Sequence, residues 1–527
     1  MQIFYLDCFN IIKFINEQIT HKAIAYDGRY KYNKSNKKTK YIMKQTKIVA
    51  SISDLRCDQE FIRNLYDAGM NVVRMNTAHA NREGLEKLIS NVRAVSSQIA
   101  IMMDTKGPEI RTTECQGVIE YHTGDKMKII GNPLQETVKD CIAVSYPYFV
   151  QDLEVGNEVL IDDGDLSLKV IAKDNEYLYC EAQNDSILGS HKSINVPGVK
   201  VNLPSLTEKD RNNILFAIEK DIDFIAHSFV RCKQDVLDIK NILDVNNSQI
   251  KIIAKIENQD GVDNIDEILE VADGIMIARG DLGIEVPQER IPGIQRVLIR
   301  KSVHARKPVI VATQMLHTMI QNPRPTRAEI TDIANAIYYR TDALMLSGET
   351  AYGKYPIEAV KTMARIAEQA EKDKLEENDI RIPLEDNCDP TAFLAKSTVK
   401  AASKIKTIKA IITDVYSGNT ARNIAAFRGK LPVFAICYNE KTMRHLALSY
   451  GIEPFYMPEK ANGQQYYFAA LRELMNRGII AETDMVAYLS GGKEGTKTSF
   501  LEINVVKDVL DHAEEESYIL PNSNRYL

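Results

Sequence analysis

The chain has 527 residues, of which 44% are hydrophobic and 26% are charged, and its formal net charge is −6. This length and composition are typical of a globular protein with roughly three or four domains, and they argue against a largely disordered chain or a membrane protein. The negative charge argues against a general nucleic-acid binder. Eight cysteines without a C-x-x-C pair favour free thiols over a disulfide framework or a zinc site.

Residues 1–42 are predicted to form an N-terminal extension, because the basic and polar stretch at 29–41 is typical of disorder. The apolar residues at 1–20 are interrupted by charged and polar side chains, so they do not predict a membrane span, and no secretory cleavage pattern follows. We therefore interpret Met43 as the effective start of a cytoplasmic protein. An organellar targeting presequence is the alternative interpretation.

Apolar strand patterns alternate with amphipathic helix patterns in the segments 43–106 and 205–375. This alternation predicts βαβ units and a parallel sheet. Together the two segments are close to the roughly 250 residues of a (β/α)₈ barrel, so we predict a TIM barrel. The predicted strands are 46–53, 71–76, 99–103, 223–226, 250–256, 274–278, 308–312 and 342–346, and the predicted helices are 58–68, 83–96, 207–219, 233–244 and 262–270.

The pattern changes at 107–204, where short alternating runs are separated by turn residues. These runs predict an antiparallel β module inserted into the barrel. A charged stretch at 376–390 predicts a linker, and residues 391–527 predict a C-terminal α/β domain. Its predicted strands are 408–412, 432–436 and 485–489.

Charged side chains follow two neighbouring predicted strands in the stretch 251–283. Lys255 and Glu257 point to the same face of the first strand, since side chains alternate along a strand, and Asp281 follows the second strand. A lysine and two carboxylates at the carboxyl ends of parallel strands predict a site for a hard divalent cation and a phosphorylated substrate.

Six long motifs follow one another along the chain: MDTKGPEIRT (103–112), KIENQDG (255–261), ARGDLGIE (278–285), VATQML (311–316), NPRPTRAE (322–329) and LSGETAYGKYP (346–356). In this order they resemble the pyruvate kinase family, and the resemblance covers about residues 43–527. The resemblance implies a TIM barrel with an inserted antiparallel β-barrel lid domain and a C-terminal α/β domain. It also implies a homotetramer that transfers the phosphoryl group of phosphoenolpyruvate to ADP, giving ATP and pyruvate in the last step of glycolysis.

The resemblance assigns Mg²⁺ (or Mn²⁺) to Glu257 and Asp281, and the transferring phosphoryl group to Lys255. The resemblance also implies that Gly280 binds the substrate and that Arg74 contacts phosphoenolpyruvate or the nucleotide. From the residues alone, the alternatives are two surface acids at strand ends, a structural salt bridge between Lys255 and Glu257, and a solvated arginine at position 74.

By the same resemblance, Arg111 and Lys192 face the phosphates of ADP or ATP. Because Lys192 lies in the insert, the insert would act as a lid that excludes water from a reactive phosphoryl group, with Gly107 and Pro108 as one hinge. From the residues alone, the alternative for Arg111 is a solvated side chain, which is the usual state of a lone arginine at a strand end.

Thr313 follows an apolar strand, where a hydroxyl can relay a proton or cap a helix. The resemblance adds proton delivery to the enolpyruvate, with Ser347 and Glu349 as candidate partners in a water chain.

A K⁺ site is also implied by the resemblance, with Asn76, Asp104 and Thr105 as ligands. Here the chain departs from the family, because Ala78 replaces a serine that supplies a hydroxyl ligand. Glu109 is the residue type that accompanies K⁺ dependence in the family, so we expect K⁺ use, with water or the Thr77 hydroxyl completing the shell.

The C-terminal domain contains a strand-to-helix turn, Ser417-Gly418-Asn419-Thr420, and backbone N–H groups at a helix start can bind an anion. Related enzymes bind a sugar bisphosphate in such a turn, but their loops contain more serine and threonine. We expect weak or altered effector control, and a helix N-cap without a ligand is the alternative.

Two other functions are compatible with parts of this pattern. An aldolase- or lyase-like barrel could use the same carboxylates to stabilise an enolate, but it gives no reason for the lid, Arg111 or Lys192. An inactive scaffold with a nucleic-acid-binding arm is disfavoured by the intact Lys255, Glu257 and Asp281. We therefore expect phosphoenolpyruvate and ADP/ATP as partners, with no nucleic acid and no membrane.

Overall fold

The computed structural model describes residues 44–77, 81–374, 389–458, 463–491 and 498–511. The predictions for residues 1–42, for Ala78 and for most of the linker lie outside these ranges. Within them, no helix has the length and apolar character needed to cross a membrane.

Eight parallel strands close into a barrel in the order β1-β17-β16-β15-β14-β13-β3-β2. This closed sheet confirms the predicted TIM barrel. The barrel strands are β1 (Lys47–Ser51), β2 (Val72–Asn76), β3 (Ala100–Asp104), β13 (Phe224–His227), β14 (Lys251–Ile256), β15 (Gly274–Ala278), β16 (Val309–Ala312) and β17 (Ala343–Leu346).

The barrel strands are apolar on both faces because each face is covered. One set of side chains, including Val49, Met102 and Met276, fills the barrel interior. The alternating set, including Ile252 and Ile275, packs under the surrounding helices. This double burial explains why the sequence shows continuous apolar runs at these strands.

The barrel helices follow the predicted order, although the pattern at 262–270 belongs to two short helices, α6 and α7. Capping boxes at Thr207 and Thr326 fix the starts of α4 and α10. The helices are α1 (Gln59–Asp67), α2 (Arg82–Val95), α4 (Glu208–Glu219), α5 (Lys233–Val245), α6 (Gln259–Asp263), α7 (Ile265–Val271), α8 (Arg279–Glu285), α9 (Ile291–His304), α10 (Arg327–Tyr338), α11 (Gly348–Ala351) and α12 (Pro356–Asp373).

Between β3 and β13 lies a separate β module with its own apolar core, which we call the insert. Its larger sheet has seven strands in the order β4-β12-β8-β9-β10-β6-β7, and a bridge between Thr112 and Val144 joins the two ends of that sheet. Strands β5 and β11 form a separate two-stranded sheet. The pairs are antiparallel except for β6 with β7. The insert contains β4 (Ile110–Arg111), β5 (Ile119–Tyr121), β6 (Lys126–Ile130), β7 (Cys141–Ala143), α3 (Phe149–Asp152), β8 (Glu158–Ile161), β9 (Leu166–Lys173), β10 (Leu178–Ala182), β11 (Ser186–Leu188) and β12 (Ser193–Asn195).

The C-terminal domain is a five-stranded sheet of order β20-β19-β18-β21-β22 with apolar cores on its two faces. The strands are parallel except for the edge strand β22, and neither β20 nor β22 was predicted from the sequence. The elements are α13 (Pro390–Lys404), β18 (Ile408–Val415), α14 (Asn419–Ala426), β19 (Val433–Cys437), α15 (Glu440–His445), β20 (Ile452–Tyr456), α16 (Gly463–Asn476), β21 (Met485–Gly491) and β22 (Thr498–Val505).

Buried ion pairs join the C-terminal domain to the amino-terminal ends of the barrel strands. Asp342, just before β17, pairs with Arg428 at 2.7 Å, and Asp223, just before β13, pairs with Arg444 at 2.7 Å. The C-terminal domain therefore covers the barrel face opposite to the carboxyl ends of the strands, and that other rim stays available for a site.

Candidate functional site

Two cations from different strands meet one carboxylate at the carboxyl rim of the barrel. The Arg74 guanidinium on β2 is hydrogen-bonded to the Asp104 carboxylate at the end of β3, and its Nη1 lies 3.0 Å from Ser51 Oγ. The same Asp104 oxygen lies 3.4 Å from Nζ of Lys255 on β14. Asp104 thus links Arg74 and Lys255, a role that its assignment to a K⁺ site did not predict.

Lys255 is 8% exposed, and its ammonium has three polar neighbours. It lies 2.9 Å from Glu257 Oε1 and donates a hydrogen bond of 2.8 Å to Ser228 Oγ. Burial alone would lower the pKa of Lys255, but Glu257 and Asp104 outweigh this effect and raise it, so the side chain stays charged. The salt bridge considered from the sequence is therefore present, in a site where an anion could compete for the ammonium.

Glu257 follows β14 and is 1% exposed. Its Oε2 accepts a hydrogen bond of 2.7 Å from the Phe229 N–H. Burial raises the pKa of Glu257 to about 7; Lys255 opposes this shift and the Asp281 carboxylate adds to it. Asp104 Oδ1 is buried without a hydrogen-bond donor among the described residues, whereas Glu257 Oε1 is met by the Lys255 ammonium. A buried oxygen without a donor fits a hard cation.

Asp281 belongs to the first turn of helix α8 and is partly exposed, so it is not a continuation of strand β15. Its charge acts on Glu257, Lys255 and Arg74, which places it on the same rim. The described residues contain no group of three or more His, Cys, Asp or Glu side chains arranged for a metal. Two carboxylates are the number that Mg²⁺ usually takes from a protein, with water and substrate oxygens completing the octahedron.

The Thr313 hydroxyl contacts the start of α8. It accepts a hydrogen bond of 2.8 Å from the Gly280 N–H and donates one of 2.7 Å to the Ala312 carbonyl, and Thr313 has a left-handed φ of 65°. The hydroxyl therefore meets a backbone N–H at the start of a neighbouring helix, which matches the capping alternative considered for it. This contact places Thr313 beside Gly280 and Asp281.

Glu349 is 2% exposed, and its carboxylate holds two loops together. Oε1 accepts from the Leu316 N–H at 3.0 Å, and Oε2 accepts from the Ser347 N–H at 2.8 Å. Ser347 and Glu349 are thus in contact, but the hydrogen bonds given for the described residues do not connect either of them to the Thr313 hydroxyl.

The residues named for a K⁺ site lie together at the ends of β2 and β3. Asn76 is paired in register with Asp104, and the Thr77 hydroxyl donates a hydrogen bond of 2.7 Å to the Asp104 carbonyl. The Thr105 carbonyl accepts a hydrogen bond of 2.8 Å from Ser228 Oγ. Position 78, where the chain departs from the family, lies outside the described residues.

Sequence reasoning missed two residues that position this rim. Ser228, just after β13, bonds to both Thr105 and Lys255, and Arg279 donates to the Thr313 carbonyl at 2.6 Å and pairs with Asp332 at 2.5 Å. Arg279 lies inside the ARGDLGIE motif, and that position was a usable signal. Nothing in the sequence indicated Ser228, whose partners come from other strands.

The two cations predicted to face a nucleotide lie close together in the insert: Arg111 is in β4, and Lys192 directly precedes the neighbouring strand β12. Arg111 pairs with Glu109 at 2.6 Å, and Lys192 pairs with Asp162 at 2.5 Å. Both are partly exposed, and each is neutralised by a carboxylate of the insert or its connecting segment. An incoming polyphosphate would have to replace these carboxylates.

The insert is joined to the barrel near the same rim. Asn195 Nδ2 on β12 donates a hydrogen bond of 2.9 Å to Glu285 Oε1 at the end of α8. At the first crossing Gly107 has a left-handed φ of 73°, and a Cβ there would lie 2.7 Å from the Phe229 ring. Only glycine fits this crossing without a shift of its neighbours.

The candidate effector turn has a left-handed Gly418 (φ 82°) before helix α14, and no side-chain hydrogen bond caps that helix. The Thr420 and Thr498 hydroxyls lie 2.8 Å apart, and Arg422 donates to the Ser417 carbonyl at 3.2 Å. Residues 492–497 of the adjoining glycine loop lie outside the described ranges. The turn therefore starts a helix without a side-chain cap at Gly418, and the Thr498 hydroxyl of β22 lies beside it.

Two family models match the chain. The model described as "Pyruvate kinase, barrel domain" matches residues 43–360, and "Pyruvate kinase, alpha/beta domain" matches residues 393–504. Pyruvate kinase of Borreliella burgdorferi is 46% identical over 477 residues, which is 89% of this chain and 99% of that protein. Pyruvate kinase of Geobacillus stearothermophilus is 43% identical over 480 residues, covering 89% of this chain and 81% of that protein.

Among solved structures, a pyruvate kinase from Cryptosporidium parvum superposes with a TM-score of 0.82 at 35% identity, covering 88% of this chain and 96% of that one. The matches cover the barrel and the C-terminal domain alike. The chain belongs to the pyruvate kinase family and is a phosphotransferase of that family.

Proposed function

We propose that the chain transfers the phosphoryl group of phosphoenolpyruvate to ADP, giving ATP and pyruvate, in an Mg²⁺-dependent reaction. The observation that carries this proposal is the buried Lys255 ammonium, which lies 2.9 Å from Glu257 and 3.4 Å from Asp104, on the rim that also holds Arg74. Phosphoryl transfer depends mainly on positioning and on stabilising charge, and a shielded cluster of cations and carboxylates serves both needs.

Glu257 and Asp281 would hold the Mg²⁺ (or Mn²⁺), with the backbone of Gly280 beside the substrate. The buried Asp104 Oδ1 on the same rim supports a cation there, because a buried oxygen without a donor is costly unless a cation meets it. When bound, such an ion would attract the phosphate and carboxylate oxygens of the substrates and offset their negative charge.

In the proposed reaction, the bond from phosphorus to the enol oxygen of phosphoenolpyruvate breaks, and a bond to a terminal oxygen of ADP forms. Lys255 and Arg74 supply positive charge next to the moving group. The electron pair left on the enol oxygen makes an enolate, which takes a proton at its methylene carbon to give pyruvate.

We assign this proton path to Thr313, with Ser347 and Glu349 ordering the surrounding loops. Thr313 contacts Gly280, the neighbour of Asp281, which supports its nearness to the substrate. The hydroxyl donates its proton to the Ala312 carbonyl in the structure, so it would have to rotate towards the substrate to deliver that proton. It would then take a new proton from water.

Arg111 and Lys192 are proposed to bind the phosphates of ADP, replacing their present partners Glu109 and Asp162. The insert would then act as a lid that turns about Gly107 and Pro108 and excludes water from the phosphoryl group. Exchange of an internal carboxylate for a phosphate keeps both cations paired in the open and closed states.

K⁺ is proposed to bind beside Asn76, Asp104 and Thr105, with the Thr77 hydroxyl or water in place of the family serine. Titration of activity in KCl against NaCl and Tris at equal ionic strength tests this proposal. A rate several-fold higher in KCl supports it, and equal rates in all three salts would contradict it.

A homotetramer in the cytoplasm is proposed from the family resemblance alone, and sedimentation velocity of the purified protein tests its assembly. Weak or altered effector control is proposed for the turn Ser417-Gly418-Asn419-Thr420. A strong change from sigmoidal to hyperbolic kinetics on adding fructose 1,6-bisphosphate would contradict it.

An assay that couples pyruvate formation to NADH oxidation, with and without ADP, tests the main proposal. Lys255→Met is expected to lower kcat by about 100-fold or more, since one charge-stabilising group of this kind contributes about 10²–10³. Lys251→Met on the same strand is the matched control, because Lys251 is paired with Asp273 at the far end of β14. ADP-independent release of pyruvate would favour a lyase, and full activity of Lys255→Met would refute the assignment.

A further inference from the structure

A second concentration of positive charge lies at the junction of the barrel and the C-terminal domain, on the barrel face opposite to the catalytic rim. A narrow crevice there has about 220 Å³ of non-atom space, including the part open to solvent. Four cationic side chains and one carboxylate line it: Arg306, Lys307, Arg422, Arg428 and Asp342. The barrel contributes the loop between α9 and β16, and the C-terminal domain contributes α14 and the residues after it.

The single carboxylate is already saturated. Asp342 accepts hydrogen bonds from Arg428 at 2.9 and 2.7 Å, from the Tyr450 N–H at 3.1 Å and from the Val309 N–H at 3.1 Å. It therefore neutralises Arg428 and has no capacity left for the other cations. Asp273 also acts on Arg422 and Lys307, but it is paired with Lys251 at 3.2 Å.

The other three cations differ in how many of their N–H groups have a hydrogen-bond acceptor. The Lys307 ammonium is bound by backbone carbonyls at the end of α7, including Ala272 at 2.6 Å. Arg422 donates to the Ser417 carbonyl at 3.2 Å, and burial lowers its pKa. Arg306 Nε is buried without a hydrogen-bond partner among the described residues. Two arginines thus retain donor capacity next to the crevice.

Two side chains that are more than nine-tenths buried line this crevice with unpartnered polar atoms. Ser449 is 2% exposed and its Oγ has no partner in the described part of the chain; Arg428 is 6% exposed and its Nε has none either. Buried donors of this kind are costly, at more than the worth of a typical hydrogen bond, unless a ligand meets them. A hydroxyl and guanidinium groups converging from two domains are the donors that bind tetrahedral oxyanions.

We propose that this crevice is an anion site for a phosphate group, either orthophosphate or the phosphate of a small phosphorylated metabolite, bound between Arg306 of the barrel and Arg422, Arg428 and Ser449 of the C-terminal domain. Because cations outnumber carboxylates in the crevice, the ligand is expected to be an anion. Because the crevice is narrow, only part of a larger ligand would enter it. The site is separate from the catalytic rim and from the Ser417–Thr420 turn, although Arg422 touches that turn through the Ser417 carbonyl.

Phosphate bound here would join the two domains, so it should stabilise them as one unit in proportion to its occupancy. The test uses the full-length protein, with orthophosphate as the probe and KCl at matched ionic strength as the blank. Isothermal titration gives the number of phosphate sites, and thermal unfolding gives the shift in Tm. The Arg306→Gln/Arg422→Gln variant is expected to bind one phosphate fewer per chain, or to bind it about tenfold more weakly or worse.

The matched control is Arg300→Gln, an exposed arginine of helix α9 that does not line the crevice. It is expected to keep the wild-type phosphate response. Phosphate binding at the catalytic rim should be the same in wild type and in both variants, so it does not affect the difference between their phosphate responses. Equal responses of the double variant and wild type would overturn the proposal, and so would an equal loss in Arg300→Gln, which would mean that general surface charge is responsible.

Ser449→Ala gives a test that does not depend on the double variant folding. Because Ser449 Oγ is buried and unpartnered, its removal should leave Tm in phosphate-free buffer unchanged or higher. The rise in Tm caused by phosphate should become smaller. A rise equal to that of wild type would overturn the proposal.

Further titrations separate the sources of the phosphate group. Glucose 6-phosphate binding more tightly than orthophosphate, with glucose inert, indicates a phosphorylated metabolite; equal affinities indicate that only the phosphate group is bound. Binding does not require turnover, so these results stand whether or not the proposed catalytic activity is correct.

Discussion

Asp342→Ala should destabilise the protein strongly, because Asp342 is the centre of the interface between the barrel and the C-terminal domain. The side chains of Asp342 and Arg428 are 6% and 2% exposed, and their charged groups lie 2.7 Å apart. Removing one partner of a buried pair leaves the other charge uncompensated, at a cost of about 3–5 kcal/mol. Two backbone N–H groups, of Val309 and Tyr450, also lose their acceptor. We therefore expect a loss at the upper end of this range.

Differential scanning calorimetry of full-length Asp342→Ala measures this loss. A chain of several domains need not unfold in one step, so the transition of each domain is followed separately. The pair Lys361–Glu358, with side chains 51% and 50% exposed at 2.9 Å, provides the control. Glu358→Ala removes an exposed pair and should cost about 0–1 kcal/mol.

A double-mutant cycle separates the pair from its surroundings. In Asp342→Leu/Arg428→Met both charges are absent, so this variant should recover part of the stability lost in Asp342→Leu alone. The reasoning would be refuted if Asp342→Ala cost no more than Glu358→Ala, or if the two single losses added without coupling.

Three further results are expected. Glu257→Gln and Asp281→Asn should each raise the Mg²⁺ concentration for half-maximal activity by about tenfold or more, since even outer groups around a metal change affinity by 10–100-fold, and unchanged Mg²⁺ titrations would exclude them as ligands. Asn195→Ala should raise KM for ADP and speed amide exchange in β12 without changing the unfolding of the barrel; an unaltered KM would show that this contact does not hold the insert. Thr313→Val should slow pyruvate formation more than Thr313→Ser does, because serine keeps the hydroxyl, and equal rates would remove that hydroxyl from the proton path.

The barrel and the pair Lys255–Glu257 could be predicted because both depend on local periodicity. Strand alternation alone places these two side chains on one face, and the structure brings them to 2.9 Å. The role of Asp104 could not be predicted in this way, because β3 and β14 are separated by β13 in the barrel and their ends meet only after closure. The position of Asp281 differed from the expected strand end for a related reason. The chain turns into a helix directly after Ala278, and strand patterns in the sequence do not reveal that turn.

Contacts between modules were also beyond the sequence. Asn195 and Glu285 are 90 residues apart and belong to different modules, and Asp342 and Arg428 are 86 apart across a domain boundary. Such pairs depend on how finished domains dock, and no local pattern encodes the docking.

Helix α8 is only seven residues long, yet its two ends contact different parts of the molecule. Asp281, a proposed metal ligand, lies in its first turn, and Glu285 at its last residue is hydrogen-bonded to Asn195 of the insert. Because both contacts belong to one short helix, a displacement at one end is expected to reach the other. We therefore expect metal binding at Asp281 and the position of the insert to be coupled through α8.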